Sequence, residues 1–200
     1  MLDQPSMIVL VDVWDRLING EPTSDIGSVD IINFIENTPT VRTVVLASYG
    51  CLSELQTNNL WYTNAQKFFK NQLDYQNFLK YYNQEQSIGQ HTHPALFNYV
   101  NPDVFQIAFR YPSELEIYLN SNQEIKNIYI AGAAWSTCVK DRPLGYRAIF
   151  DRFIKNADKN LLVCIDTVKE LYGKNGNVHD TPGWKSVTER IFKYVGRINI

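Results

Sequence analysis

Residues 7–13 read MIVLVDV, an apolar run that is interrupted only by Asp12. Runs without alternation of polar and apolar residues are typical of strands buried on both faces of a parallel sheet. Five further short apolar runs predict five more strands: Val41–Ser48, Val104–Phe109, Ile128–Ala133, Asn160–Asp166 and Tyr194–Ile200. Because helical patterns separate several of these runs, the sequence predicts βαβ units and a doubly wound α/β fold with a six-stranded, mostly parallel sheet.

The helical patterns are an apolar stripe over residues 26–35, which stops before Pro39, and a second stretch with Ser113 as a candidate N-cap. Residues 138–154 and 184–193 also carry apolar side chains at helical spacing. Crossovers between parallel strands are right-handed, so we expect helices on both faces of the sheet. Ligands of such sheets gather at the carboxyl ends of the strands, where the winding reverses.

No linker divides the chain, and we predict a single domain over residues 1–200. The stretch at about 51–100 breaks the alternation and is predicted to be a helical insertion. Its aromatic residues include Trp61, Tyr62, Phe68, Phe69, Phe78, Tyr81 and Tyr82. Such insertions are often lids or subunit contacts, and this one offers more apolar surface than a monomer usually exposes. We therefore expect a homo-oligomer.

The charge balance argues against several classes of partner. The chain has 19 Lys and Arg against 21 Asp and Glu, and its net charge of −2 provides no cationic field for nucleic acid or an anionic membrane surface. No apolar run approaches the ~18–20 residues that cross a bilayer, and residues 1–6 carry Asp3 instead of a cationic stretch. The 3 cysteines cannot form a closed disulfide framework. Reduced thiols and a cytoplasmic location are the expectation.

Cys138 is the most informative cysteine, because it follows the predicted strand Ile128–Ala133 and begins the predicted helix 138–154. A thiol at a helix N-terminus meets the positive end of the helix dipole, and the neighbouring N–H groups can hold an oxyanion. From position alone, a small buried residue on the inner face of the helix is the more common case. Cys164 is predicted to be a core residue, and nothing supports a role for Cys51.

Two carboxylates follow the first strand. Asp12 stands at its carboxyl end, where it is either a functional group or a residue that caps the next element. Asp15 is expected in the following turn.

These segments together resemble the isochorismatase-like cysteine hydrolases. That family has an Asp after the first strand, a Lys after the third, and the motif G-x-x-T-D-x-C-V after the fourth. Here Asp12 follows the first strand, and residues 132–139, GAAWSTCV, keep the Gly, the Cys and the Val of the motif. The run ending in Asp166 is similar to the family's segment of apolar residues, Asp and a small residue. The resemblance leaves out the stretch at about 51–100.

The resemblance implies a Rossmann-like three-layer sandwich whose six parallel strands lie in the order 3-2-1-4-5-6. The first and fourth strands are then adjacent, and Asp12 and Cys138 face one another across the ligand crevice. In such enzymes the Asp is the general base, the Lys holds charge, and the Cys attacks an amide or related carbon to form an intermediate that water resolves. We expect a small amide-like substrate, held in part by the main-chain amides of Thr137 and Cys138, and no cofactor.

The sequence departs from the family pattern in three places. Residues 105–113 contain no lysine, and Arg110 is the cation present there. An arginine can hold negative charge but does not exchange protons near neutral pH. Trp135 and Ser136 stand where the family has Thr and Asp, and Trp14 where many members have Gln; we expect both tryptophans to shape the substrate pocket.

Three alternatives remain. The missing lysine also fits a catalytically inactive scaffold that serves as a binding or assembly module. Phosphohydrolases of the haloacid-dehalogenase type begin with a similar strand, but Trp14 stands where they need a second Asp. A metal site would use His91 and His93, yet residues 48–52 add no His or Asp, so we predict exposed loop histidines and no metal.

Overall fold

The computed structural model of the chain describes residues 4–11, 13–18, 21–22, 28–47, 61, 64, 90–92, 96, 98–109, 112–133, 139–154 and 159–169. The strands are β1 (Ser6–Val11), β2 (Trp14–Ile18), β3 (Glu21–Pro22), β4 (Val41–Ala47), β5 (Gln90–Thr92), β6 (Phe105–Phe109), β7 (Asn127–Ala133) and β8 (Asn160–Lys169). The helices are α1 (Ser28–Asn37), α2 (Pro112–Ser121) and α3 (Tyr146–Ile149), and a π-helical segment, Phe150–Ile154, continues α3. None of the helices in these ranges has the length and apolar character that a membrane span requires.

Five of the strands form one parallel sheet in the order β6-β4-β1-β7-β8. This agrees with the order 3-2-1-4-5 expected for the first five predicted strands. The α/β class with an all-parallel main sheet is therefore confirmed. The sixth predicted strand, Tyr194–Ile200, and the predicted helix at 184–193 lie outside the described residues. The single-domain interpretation stays a prediction.

Helices cover both faces of this sheet. The register places Tyr129 of β7 and Thr43 of β4 on opposite faces. On one face, the ring of Phe34 in α1 meets Tyr129 edge-on, with ring centroids 5.1 Å apart. On the other face, Tyr118 of α2 shares a 2.8 Å hydrogen bond with Thr43, and its ring lies 5.9 Å from that of Phe109. β1 is buried along its whole length between these layers, which explains its unbroken apolar sequence.

The predicted helix over 138–154 is regular only in part. α3 begins at Tyr146, and Pro143 lies in the turn before it. Proline cannot donate the backbone hydrogen bond that a helix interior needs, so the long apolar pattern does not become one continuous helix. The segment still packs on the sheet through Val139, Leu144, Ile149 and Phe153. Arg152 of the π-helical segment forms an ion pair with Glu116 of α2, which joins the two helices on this face.

β8 extends beyond its predicted end at Asp166. Its register against β7 shifts between Ile130 and Gly132 of β7. The additional residues of β8 leave the ladder at this point, as in a β-bulge, and pairing then resumes. Cys164 falls within the shifted stretch, and because its side chain is not among those described, its core position stays a prediction.

A second, antiparallel sheet has the order β3-β2-β5 and is absent from the sequence-based prediction. Asp15 lies in β2 and not in the turn predicted for it, and His91 lies in β5 and not in a loop. Both predictions were wrong because β2 and β5 pair with each other, and β5 has no apolar run that would indicate such a partner for β2. The stretch at about 51–100 is therefore not wholly helical. It does contain buried helical residues: Trp61, Asn64 and Leu96.

Candidate functional site

The winding of the main sheet reverses between β1 and β7. β4 and β6 lie on one side of β1, and β7 and β8 lie on the other. The two central strands run in parallel, and their register ends with Val11 opposite Gly132. Their carboxyl ends therefore meet at one place on the edge of the sheet. In open α/β sheets this is the position of the ligand crevice.

Gly132 fixes the approach of the two strands at this place. Its φ of +128° lies in the region that residues with a side chain rarely adopt. A Cβ atom here would stand 1.9 Å from the main-chain oxygen of Val11, which is far inside van der Waals contact. Only a glycine lets β7 pass so close to the last residue of β1. The Gly of the GAAWSTCV segment thus has a structural reason, independent of the resemblance.

The strand ends around the reversal point are apolar and buried. Val11, Ala47 and Phe109 end β1, β4 and β6, and each is at most 2% exposed. Val13, which follows Asp12, is also 2% exposed. These side chains exclude water from beneath the edge of the sheet. Electrostatic interactions of a polar group placed there are stronger than in water, because the surroundings have a low dielectric constant.

The catalytic residues predicted from the sequence follow these strand ends. Asp12 lies between Val11 and Val13, and Arg110 follows Phe109. Five of the predicted site residues lie outside the described residues: Asp12, Arg110, Trp135, Thr137 and Cys138. The sixth, Trp14, begins β2 and is the register partner of Thr92 in β5. The structure describes the strands that lead into the site, and the distance from Asp12 to Cys138 stays a prediction.

The sheet order limits the part that Arg110 can play. It follows β6, which is separated from β1 by β4. With ~4.8 Å between neighbouring strands, β6 lies about 10 Å from β1 and farther from β7. An arginine side chain is long enough to cross part of this distance. Arg110 therefore follows a strand that lies two places from β1 in the sheet, and its role stays a prediction.

At the opposite edge of the sheet, a group of polar residues connects the strand starts. Ser6 donates its main-chain N–H to the carbonyl of Thr40 at 2.8 Å, and its hydroxyl donates to the carbonyl of Gln4 at 2.8 Å. The side-chain amide of Asn127 donates to the Ser6 hydroxyl at 3.3 Å. Ser6 and Asn127 are buried. Sequence reasoning missed this group, although both residues directly precede apolar runs. It aligns β1, β4 and β7 and has no place in the crevice.

A second buried polar group ties the inserted stretch to the edge strand β6. The side-chain amide of Asn64 donates to the main-chain carbonyl of Gln106. The side-chain amide of Gln106 donates to the carbonyl of Tyr99 at 2.6 Å. Gln106 is fully buried, and its Oε1 has no hydrogen-bond partner among the residues that the structure describes. Since an edge strand otherwise leaves its backbone groups unpaired, the contact with Asn64 covers part of that edge.

Tyr99 is held in its protonated form. Burial raises the pKa of its phenol, the hydrogen bond from Asn101 at 3.1 Å lowers it in part, and the Glu36 carboxylate raises it again. A phenol whose pKa lies above the usual value of 10.0 does not exchange protons near neutral pH. Tyr99 is therefore a structural residue of the contact between the insertion and the sheet.

No group of three or more His, Cys, Asp or Glu that could bind a metal ion occurs within the described ranges. Searches among protein-family models, curated proteins and solved structures find no match to this chain.

Proposed function

We propose that the chain is an isochorismatase-like cysteine hydrolase that acts on a small amide-like molecule, with Cys138 as nucleophile and Asp12 as general base. One observation carries the proposal: β1 and β7 are adjacent and parallel, and their register ends with Val11 opposite Gly132. Asp12 follows directly on β1, and the segment that contains Cys138 follows β7. Both residues therefore leave the same edge of the sheet, from strands ~4.8 Å apart.

Described residues flank the segment that contains Cys138 on both sides. Gly132 is locked against Val11 at its start, and Val139, directly after the cysteine, is fully buried. We expect the Asp12 carboxylate within about 6 Å of the Cys138 sulfur, which allows proton transfer directly or through one water.

The reaction follows from these positions. Asp12 accepts the proton of the thiol, and the thiolate attacks the amide carbon while the N–H groups of Thr137 and Cys138 hold the oxyanion. The carbon–nitrogen bond breaks as protonated Asp12 gives its proton to the leaving amine. Water then gives a proton to Asp12 and hydrolyses the thioester, and Asp12 returns that proton to the Cys138 sulfur. Arg110 holds negative charge on the substrate, and Trp14 and Trp135 shape the pocket. The protein would work in the cytoplasm, without a cofactor.

A second candidate is an inactive scaffold that serves as a binding or assembly module and forms a homo-oligomer. Two observations favour it. The stretch after β6 lacks the lysine, and the apolar side chains of Phe105 on β6 and Ile117 on α2 are 38% and 51% exposed. Light scattering at micromolar concentration would show whether the chain assembles. A monomer would remove the support that these side chains give to the assembly candidate.

The two candidates differ in the reactivity of the Cys138 thiol. Iodoacetamide labelling as a function of pH, with peptide mapping to separate the three cysteines, measures the pKa of each. For a hydrolase we expect the pKa of Cys138 well below the ~8.5 of an ordinary thiol, and a further decrease in Asp12→Asn, because a nearby carboxylate disfavours the thiolate. Asp151→Asn, a change at an exposed carboxylate, is the matched control. A Cys138 with an ordinary pKa in the wild type would contradict the hydrolase.

Activity provides the second test. Ammonia release from acetamide, benzamide and urea would be measured for the wild type and for Cys138→Ala. Hydrolysis of one of these compounds by the wild type, lost in Cys138→Ala with unchanged circular dichroism, supports the proposal. Activity that persists in Cys138→Ala would exclude the cysteine mechanism.

A further inference from the structure

The chain segment over residues 139–147 opens the connection from β7 to β8. These two strands run in parallel, so the connection leaves the carboxyl edge of the main sheet and returns across one face to the amino edge. Its first part therefore lies toward the carboxyl edge, where ligands of open α/β sheets bind. Val139, Leu144 and Tyr146 are buried in the core, which holds this part of the connection against the sheet.

Three charged side chains of this segment form one ion-pair group. The Lys140 Nζ lies 3.3 Å from one carboxylate oxygen of Asp141, and the Arg147 guanidinium lies 3.1 Å from the other. Two cations thus share one carboxylate, and one positive charge remains in excess. The side chains of Lys140, Asp141 and Arg147 are 23%, 41% and 56% exposed, so a small solute can reach all three.

A β-turn returns the chain so that Arg147 meets Asp141. The main-chain N–H of Gly145 donates to the carbonyl of Arg142 at 2.7 Å, and a proline occupies the second position, which such turns favour. The backbone is closely packed here, because a Cβ atom on Gly145 would lie 2.7 Å from the main-chain oxygen of Val139. A compact backbone therefore brings the two cations to the same carboxylate.

The balance of charge at this place is positive. Arg142, in the turn, adds a third cation. Asp141 and Glu114 are the carboxylates with described side chains at the carboxyl edge of this face, and Glu114, in the first turn of α2, is buried. Three cations against two carboxylates give a local excess opposite in sign to the net charge of −2 of the whole chain. Such an excess attracts anions.

We propose that Lys140 and Arg147 bind an oxyanion, the carboxylate or phosphate group of a small-molecule ligand, in exchange for part of their contact with Asp141. The guanidinium matches such a group with parallel N–H donors, and the ammonium adds a point charge. The two cations have more N–H donors than one carboxylate accepts. A nucleic acid fits less well, because its binding commonly uses about 6–10 phosphate contacts. The site goes beyond the proposed hydrolase and does not require Cys138.

NMR titration of the isotope-labelled, full-length protein tests the site. Inorganic phosphate and succinate are the probes, at low ionic strength, and succinamide is the neutral control. We expect saturable shifts of the main-chain signals of residues 139–147 with at least one of the two anions, and none with succinamide. Saturation by phosphate alone assigns a phosphate group and saturation by succinate alone a carboxylate, and each supports the site. No saturable shift in these residues with either anion would overturn it.

Variants identify the cations. Lys140→Gln combined with Arg147→Gln should weaken anion binding by about tenfold or more, because the change removes two charge-assisted contacts. Arg152→Gln is the matched control: Arg152 is also a partly exposed cation in an ion pair, but its partner is Glu116 of α2, so the affinity should stay unchanged. Equal affinities of the double variant and Arg152→Gln would overturn the proposal.

Asp141→Asn keeps both cations and provides a second variant, which decides the matter if circular dichroism shows that the double variant does not fold. It removes the competing carboxylate and should tighten anion binding by about two- to fivefold, since exposed ion pairs are weak. Weaker binding in Asp141→Asn would overturn the assignment to these cations. An unreactive Cys138 would overturn the proposed hydrolase and leave the anion site standing.

Discussion

Gly132→Ala is expected to lower the free energy of unfolding by about 2–5 kcal/mol, because one methyl group meets two separate obstacles. The first is conformational: a φ of +128° costs a residue with a side chain about 1–3 kcal/mol. The second is steric: the Cβ atom would stand 1.9 Å from the main-chain oxygen of Val11, and separating β1 from β7 costs about 1–3 kcal/mol. The reduced entropy of the unfolded alanine chain offsets about 0.4–1 kcal/mol.

Gly145→Ala is the matched comparison. Its φ of −83° is accessible to alanine, while its Cβ atom would lie 2.7 Å from the main-chain oxygen of Val139. Only the steric obstacle remains, so we expect a smaller loss of about 1–3 kcal/mol. Urea unfolding followed by circular dichroism measures both losses as shifts of the midpoint at a constant m-value. A Gly132→Ala protein within about 0.5 kcal/mol of the wild type, or one more stable than Gly145→Ala, would refute the reasoning.

Three further predictions concern buried and exposed polar groups. The free energy of unfolding of Gln106→Met should stay within about 1 kcal/mol of the wild type, because the change removes an unpaired carbonyl together with one hydrogen bond. Gln106→Glu should lower it by about 3–5 kcal/mol in urea unfolding at pH 8, and by less at pH 5, because a buried carboxylate is charged at the higher pH. Burial raises the pKa of Tyr118, and the hydrogen bond with Thr43 lowers it only in part. The folded state should therefore lose stability as the pH rises above 10.0, where the phenol of the unfolded chain ionises. Tyr118→Phe should lessen this loss, and an unchanged pH midpoint of alkaline unfolding in Tyr118→Phe would contradict the prediction. Arg152→Gln should change the free energy of unfolding by less than about 1 kcal/mol, since its ion pair with Glu116 is nearly half exposed, and a larger change would show that the pair joins α2 to the π-helical segment more firmly than exposed pairs do.

The main sheet could be predicted because strands buried on both faces have a distinctive sequence. β1 is buried from Ser6 to Val11, and its apolar run records this burial directly. The third predicted strand contains the fully buried Gln106, but the other four residues of β6 are apolar, so the strand could still be predicted. The order of the five described strands came from the resemblance to a family, not from the apolar runs.

The antiparallel sheet could not be predicted in the same way. Gln90, His91 and Thr92 contain no apolar residue, and they become a strand only by pairing with β2, far away in the sequence. Local composition carries no record of such a partner. The helix expected over 138–154 failed for the opposite reason: its apolar spacing is real, but Pro143 interrupts the backbone hydrogen bonds. For the candidate site, strand order locates the positions after β1 and β7, while the arrangement of side chains there depends on loop conformations that apolar patterns do not encode.

The central place of β1 in the sheet also bears on how the chain folds. The hydrogen bond between Asn127 and Ser6 joins residues 121 positions apart, and the whole β1·β7 ladder closes a loop of similar length. Closing it costs chain entropy before the contacts form, and domains dominated by such distant parallel pairings fold slowly. During synthesis on the ribosome, the edge of β1 that pairs with β7 stays unpaired until β7 has been made. Nascent chains that end before Asn127 should therefore depend on chaperones, or aggregate through that open edge.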